Sequence, residues 1–424
     1  MKCLRLAATL ALCISLLGAM ELSPGAQFDI ALPELGATSD GGTGRVGISL
    51  PKDYDAERLF PVICWFGGGE GGADPKPMTQ MINNTGYIVF ALPYQKGKLW
   101  GSPLSWYMPM IEAGLAAVPN ANRHVMVAAG FSSGGGATGV VCFNKAGMDL
   151  FCGMIPSGLA PDFIEVKHPR FQGFPVLAII GEKDTQHDRL GQMHTFRDLA
   201  QRAGLDLTYV EMKGVGHKLD KQCWPQVQEF LANKIAAPNA ARFAAMMDQA
   251  AKKNRWDAAL PAARAVLGLS PSDSPEAQRA NECLAAASQA ATDALSELGD
   301  KEDPKKLYAL TQQFAGTKGG AEAQQRYDAL AAASEAPTQP EALAKARDVS
   351  TWLKSIGKFV KKWPGSATSI ELMASVDPYL KQRLDAIAAI DDPKLRKKEL
   401  ISFAKQFKDR AIAHDAVALL KAPN

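Results

Sequence analysis

In "VMVAAGFSSGGGATGV", residues 125 to 140, an apolar run meets a glycine, two adjacent serines and three more glycines before helix formers resume. The preceding "HVMVAAG" (124 to 130) is continuously apolar, as expected of a strand covered on both faces. Gly130-Phe131-Ser132-Ser133-Gly134 therefore places the pattern G-x-S-x-G at a strand-to-helix turn, where a strained serine is held clear of the backbone. Small residues are needed on either side so that strand and helix can approach, and this frame selects Ser132 rather than Ser133. The Ser133 N–H, at the helix start, then points to where an oxyanion would form. Alone, such a pentapeptide is only a glycine-serine turn, so the rest of the chain must supply its context.

Working outward, "RVGISL" (45 to 50) alternates like a half-buried strand. "FPVICWF" (60 to 66), "GYIVFAL" (86 to 92), "FCGMIP" (151 to 156), "FPVLAII" (174 to 180) and "LTYVEM" (207 to 212) are continuous apolar runs. Helical patterns separate them, among them "WYMPMIEAGLAAV", "GGATGVVCFNKAG" and "QMHTFRDLAQRAG". The alternation predicts an α/β class chain with a doubly wound, mostly parallel sheet and right-handed crossovers, in which ligands gather at the carboxyl ends of the strands.

A serine hydroxyl is a poor nucleophile unless a base takes its proton, which calls for a histidine supported by a carboxylate. "FPVLAIIGEKD" places Asp184 after one strand-like run, and "LTYVEMKGVGH" places His217 in a glycine-flanked loop after the last. Ser132, Asp184 and His217 follow the chain order expected when such a triad is built on strand ends. Glu182 and Asp188 are alternatives to Asp184. Of the other histidines, His124 opens the strand leading to the turn, His168 sits in a polar loop, and His414 lies in the helical tail, so each reads as structural or solvated. His187 and His194 stand near Asp188, but with no metal-ligand spacing of a known kind. A second oxyanion donor is expected from Gly67-Gly68-Gly69-Glu70-Gly71-Gly72, after the strand "FPVICWF". A phosphate loop is the rival reading there, but the run lacks the Lys-Ser/Thr ending of a P-loop.

The segment from about residue 45 to 234 resembles the serine α/β-hydrolases, and within them the secreted esterases similar to polyhydroxybutyrate depolymerases and to feruloyl or acetylxylan esterases. The resemblance is carried by "LPKDYDAERLFPVICWFGGG", "NANRHVMVAAGFSSGGGAT", "FPVLAIIGEKDTQ" and "GVGHKLD". It implies the α/β-hydrolase fold, Ser132 as nucleophile, His217 as general base then acid, and Asp184 as its orienter. It also implies the N–H groups of Gly68 and Ser133 as oxyanion hole, with no cofactor and no metal. Where many relatives carry His-Gly after the third strand, this chain has Phe66-Gly67. Prolyl-oligopeptidase-type peptidases share the turn and the triad order, but no propeller or gating domain precedes residue 45. A catalytically silent scaffold that binds through its helical tail is the third reading.

Phe131, inside the motif, and Trp100, in "KGKLWGSPLSWYM" (96 to 108), are candidate substrate contacts, whereas Trp106 and Tyr107 are expected to pack their own helix. Short connections after residue 156 leave no room for a large lid, so the site is expected to be open to bulky or polymeric esters, and the expected partner is a small-molecule or polymeric ester substrate.

Lys2 and Arg5 precede an apolar run over 6 to 17, then small residues, in the layout of a secretory signal peptide cleaved between residues 19 and 26. A signal-anchor is the alternative, although the run is too short to span a bilayer. The implied location is secreted or periplasmic, with no membrane span after processing. Cys64, Cys142, Cys152, Cys223 and Cys283 follow the segment, an odd number that leaves at least one thiol unpaired. Cys64 and Cys152 read as buried small hydrophobes. Net charge is +3 from 47 basic and 44 acidic residues spread evenly, which points to no nucleic acid and no membrane surface.

At 424 residues two domains are expected. The division predicted is 1–26 signal peptide, 27–238 catalytic domain and 239–424 all-α domain. The last is alanine-rich and carries a weak echo: Phe314, Trp363 and Phe407 each precede a turn and an alanine-rich helix. Stacked helical hairpins of the tetratricopeptide kind would suit this spacing, and so would a bundle without repeats. Such a module would position the enzyme on a protein or polymer partner.

Overall fold

The computed structural model of the chain describes residues 22–143, 145–162, 169–299, 303–408, 410 and 412–421. The expected signal peptide, up to residue 21, and His168 lie outside the described residues. Two compact units meet in sequence between Ala286 and Ala287.

The first unit holds β1 Gln27–Ala31, β2 Arg45–Ser49, β3 Phe60–Phe66, β4 Ile88–Ala91, β5 Ala121–Phe131, β6 Gly153–Ser157, β7 Pro175–Gly181 and β8 Asp206–Met212. They form one eight-stranded sheet in the order β1-β2-β4-β3-β5-β6-β7-β8. β1 and β2 pair antiparallel, as do β2 and β4, and every other pairing is parallel. This is the α/β-hydrolase fold. Every residue of β3, β4 and β6 is buried, which their continuous apolar sequences require of strands covered on both faces. β1 escapes a reading by pattern because it is an edge strand paired only with β2, and of "QFDIA" only Ile30 is buried.

The helices of this unit are α1 Lys76–Met81, α2 Leu104–Ala117, α3 Ser133–Cys142, α4 Lys145–Leu150, α5 Arg189–Arg202, α6 Trp224–Phe230, α7 Ala237–Ala251, α8 Trp256–Leu269 and the start of α9 Pro275–Leu298. The helix expected over 135 to 147 is divided into α3 and α4, because α3 ends at Phe143, whose N–H donates to Gly139 O at 2.9 Å.

The expected boundary at residue 238 falls inside continuous helix: α6 passes through a π-helical turn, Leu231–Ala236, directly into α7. α8 then docks at the start of β3. Leu59 N–H donates to Arg264 O at 2.9 Å, Arg58 Nε donates to Leu267 O at 2.8 Å, and a Cβ on Gly268 would overlap the Leu59 carbonyl. By packing, residues 239–286 thus go with the sheet. Loss of strand signals marks the end of the sheet's sequence, not the end of the surface that covers it.

The second unit continues α9 and adds α10 Pro304–Gln313, α11 Lys318–Ala332, α12 Ala346–Lys362, α13 Ala367–Ala388, α14 Pro393–Gln406 and α15 Ile412–Lys421. Phe314, Trp363 and Phe407 occupy equivalent places: each is buried, caps the C-terminus of α10, α12 or α14, and donates its N–H to the carbonyl four residues back. Thr317 and Ser366 then cap α11 and α13, their side chains accepting from Gly320 and Ser369 N–H. Buried Arg383 donates from Nη1 to Ala342 O at 2.8 Å and Ala344 O at 2.6 Å, pinning the segment before α12.

No helix among the described residues is long and apolar enough to cross a membrane. Cys64, Cys142, Cys152, Cys223 and Cys283 are all free. Cys64 is fully buried in β3, whereas Cys152 is partly exposed and its thiol donates to Met126 O at 3.2 Å.

Candidate active site

β5 delivers its chain end to Ser132 at φ 55° and ψ −120°, a backbone that costs about 1–3 kcal/mol for a residue with a side chain. The surroundings over-determine it: Ser132 N–H donates to Ser157 O at 2.7 Å, and Ser132 O accepts from Gly135 N–H at 2.8 Å. The glycines that flank the serine are required by contact. A Cβ on Gly134 would overlap the Phe66 carbonyl oxygen, and one on Gly130 would overlap Gly134 O. Gly134→Ala is therefore expected to destabilise the fold by about 3 kcal/mol, because two backbones must separate. A urea midpoint equal to that of the wild type would show that β3 and α3 do not approach so closely.

Asp184 follows β7 and is 1% exposed; its N–H donates to Gly181 O at 3.0 Å, and its carbonyl accepts from Leu190 N–H at 3.2 Å. His217 lies in the loop after β8. Its Nδ1 lies 2.6 Å from Asp184 Oδ2 and its Nε2 lies 2.8 Å from Ser132 Oγ. An ionised carboxylate can only accept, so Nδ1 donates to Asp184 and Nε2 is left to accept the Ser132 O–H. Of the alternative acids, Glu182 is engaged elsewhere: its Oε2 accepts Gly214 N–H at 2.6 Å and so secures the loop that carries His217. Asp188 stands in the left-handed region, φ 56°, at the start of α5. Asp184 Oδ1 has no hydrogen-bond partner among the described residues, but Arg189 Nη1, its side chain 16% exposed, lies 4.0 Å away and offsets part of the cost of burying the carboxylate.

Phe131 stacks on the His217 imidazole, with ring centroids 4.9 Å apart and planes inclined by 26°. Gly158, at φ 68°, closes the slot, since a Cβ there would stand 3.2 Å from His217 Cε1 and 2.8 Å from the Phe131 ring. Phe131 thus orients the imidazole as well as bordering Ser132. Trp100 lies in the turn Leu99–Gly101, half-buried, with its ring packed against Gly136 of α3. Trp106 donates from Nε1 to Pro93 O at 3.0 Å, and Tyr107 is fully buried, edge-on to Phe66 at 5.0 Å. Both pack the interior, as expected, and Trp100 keeps an exposed edge.

The β3 loop brings Gly68 beside the serine: a Cβ on Gly68 would lie 3.4 Å from Ser132 Cβ. Ser133 is the first residue of α3. Neither Gly68 N–H nor Ser133 N–H has a hydrogen-bond acceptor among the described residues, so both are available to an anion formed at Ser132.

His194 pairs with Glu211 at 3.1 Å on the surface, and His187 and His414 are exposed. Partial burial, then the charges of Arg123 and Arg242, hold His124 below its ordinary pKa. No group of three or more metal-ligating side chains occurs among the described residues. Beyond the end of β6 at Ser157, the described part of the connection carries only the turn Pro169–Phe171; residues 163–168 lie outside the described residues. Sequence reasoning passed over Arg189, Gly158 and Tyr94. The last follows β4, and the rule that ligand sites gather at carboxyl strand ends was the available signal.

No family model matches the chain, and no curated protein matches it. Among solved structures, the chain is similar to a thermostable esterase, at 18% identity, over 45% of this chain and 54% of that one, with a TM-score of 0.35. It is similar to an acylaminoacyl peptidase of Pyrococcus horikoshii at 14% identity, over 51% of this chain and 43% of that one, TM-score 0.39. A third likeness is to esterase 2 of Thermogutta terrifontis phosphorylated by paraoxon, at 16% identity, over 50% of this chain and 95% of that one, TM-score 0.37. The chain spans about half the length of the first two.

Proposed function

We propose that the chain is an exported serine hydrolase that cleaves carboxylic esters through an acyl-enzyme. The observation that carries this reading is the His217 ring held between Ser132 Oγ at 2.8 Å and Asp184 Oδ2 at 2.6 Å. In the proposed reaction Ser132 Oγ attacks the ester carbonyl while its proton passes to His217 Nε2. The N–H groups of Gly68 and Ser133 donate to the resulting oxyanion, and the buried Asp184 carboxylate balances the imidazolium. His217 returns the proton to the leaving alcohol, then activates a water that attacks the acyl carbon and releases the acid.

A fluorophosphonate probe tests this directly. Labelling is expected on the wild type and lost in Ser132→Ala, and a folded wild type left unlabelled would overturn the proposal. Short acyl, feruloyl and hydroxybutyrate oligomer esters then separate the acyl groups accepted, the fastest defining the substrate class. Export rests on the pattern of the first 26 residues: intact mass of the protein outside the cytoplasm should show a new N-terminus between residues 19 and 26. Recovery of only the full-length chain from the cytoplasm would refute export while leaving the chemistry intact.

A further inference from the structure

Tyr94, two residues beyond the expected strand "GYIVFAL", is fully buried next to the glycine loop after β3. Its hydroxyl donates to the carbonyl oxygen of Gly67. Its ring fills the space beside Gly71, at φ 65°, where any Cβ would meet the ring. The loop closes on itself as well, since Gly71 N–H donates to Gly68 O at 3.0 Å. From the other side, Tyr94 O accepts Ser39 N–H at 3.0 Å, so the residue is held by its backbone while its side chain holds the loop.

The Gly67 carbonyl and the Gly68 N–H belong to the same peptide unit. That unit is planar and trans, because the described chain has no cis peptide bond, so the two groups point in opposite directions. With its oxygen turned to the buried Tyr94 hydroxyl, the unit turns its N–H away from Tyr94, and Gly68 itself adjoins Ser132 and the Phe131 ring. A hydrogen bond accepted at a carbonyl also polarises that amide and strengthens donation from its N–H. We infer that Tyr94 is a positioning residue for the oxyanion hole: its hydroxyl fixes and polarises the peptide whose N–H, on Gly68, stabilises the charge formed on the substrate. This deepens the hydrolase reading above and rests on it. Burial, then the neighbouring Tyr107, hold the Tyr94 phenol well above its ordinary pKa, so it remains a donor throughout the working range.

Tyr94→Phe keeps the ring and removes only the donor. Removing one oxyanion-hole donor outright costs about 10²–10³-fold in kcat, so loss of its support is expected to lower kcat roughly tenfold or more. KM should change little, since Tyr94 touches no substrate. A trifluoromethyl ketone, whose Ser132 adduct carries an oxyanion, should bind the variant more weakly by the same factor, whereas the matched methyl ketone should bind equally well. Tyr87→Phe, which removes a buried hydroxyl that donates to Leu231 O outside the loop, serves as the structural control and should alter neither constant. If Tyr94→Phe does not fold, 3-fluorotyrosine at position 94 tests the same point with the opposite sign: a stronger donor of the same shape should tighten trifluoromethyl ketone binding. Equal losses for both ketones, an unchanged kcat in Tyr94→Phe, or no tightening with the fluorinated residue would each overturn the inference. A wild type that neither hydrolyses esters nor takes the fluorophosphonate label would instead overturn the hydrolase reading, and this inference with it.

Discussion

Ser132→Ala is expected to remove ester turnover almost completely, by on the order of 10⁴- to 10⁶-fold in kcat, while the protein stays folded. The substitution deletes one oxygen and leaves the backbone unchanged: the N–H still donates to Ser157 O, and the carbonyl still accepts from Gly135 N–H. Alanine meets the same left-handed strain that serine already carries at φ 55°. What is lost is the atom that His217 Nε2 activates at 2.8 Å. The neighbouring Ser133 begins α3, and among the described residues the hydroxyl in hydrogen-bond reach of His217 is that of Ser132. The check is steady-state turnover on an activated acyl ester beside a thermal melt. A variant that melts normally and keeps a tenth of wild-type kcat would remove Ser132 from the chemistry.

Asp184→Asn should cost about 10³- to 10⁴-fold in kcat, with KM nearly unchanged because the carboxylate sits behind the imidazole and reaches no substrate. An amide at this position either accepts from Nδ1–H without a charge to balance the imidazolium, or presents its NH₂ and forces the proton onto Nε2. In the second case Nε2 becomes a donor and cannot take the Ser132 proton. The substitution also leaves Arg189, 4.0 Å away, facing a neutral group, so some loss of stability accompanies the loss of rate. Fluorophosphonate labelling should slow in proportion to kcat, since both report the nucleophilicity of Ser132. Glu182→Gln provides the contrast: it loosens the loop at Gly214 but leaves the carboxylate behind His217 in place. A larger loss in Glu182→Gln than in Asp184→Asn would transfer the supporting role to Glu182.

Much of the sheet was legible because burial on two faces leaves a local signature. "FPVICWF" is β3 residue for residue, "FPVLAII" is offset from β7 by one residue at each end, and "LTYVEM" lacks only the first residue of β8. β1 was illegible for the same reason inverted: an edge strand with one buried residue needs no apolar run. The C-terminal aromatics were readable as markers of helix ends because capping is local, and Phe314, Trp363 and Phe407 all cap helices. Where the sheet's covering ends was not readable. α7 and α8 have the composition of the helical tail, and it is contacts distant in sequence, the Leu59 and Arg58 hydrogen bonds to Arg264 and Leu267 and the close approach of Gly268 to Leu59, that tie α8 to the start of β3.

The sequence by itself determined the strands from β2 to β8, the serine turn and the chain order Ser132, Asp184, His217, since periodicity and steric demands act on neighbouring residues. Tertiary structure alone decided that Asp184, not Glu182 or Asp188, stands behind the imidazole, and that Phe131 stacks on it. It alone decided that a tyrosine beyond β4 holds the Gly67 peptide. Those choices depend on separations of a few ångströms between residues that stand 33 and 85 positions apart for the triad and 27 apart for the loop, a metric that the linear order of the chain does not contain.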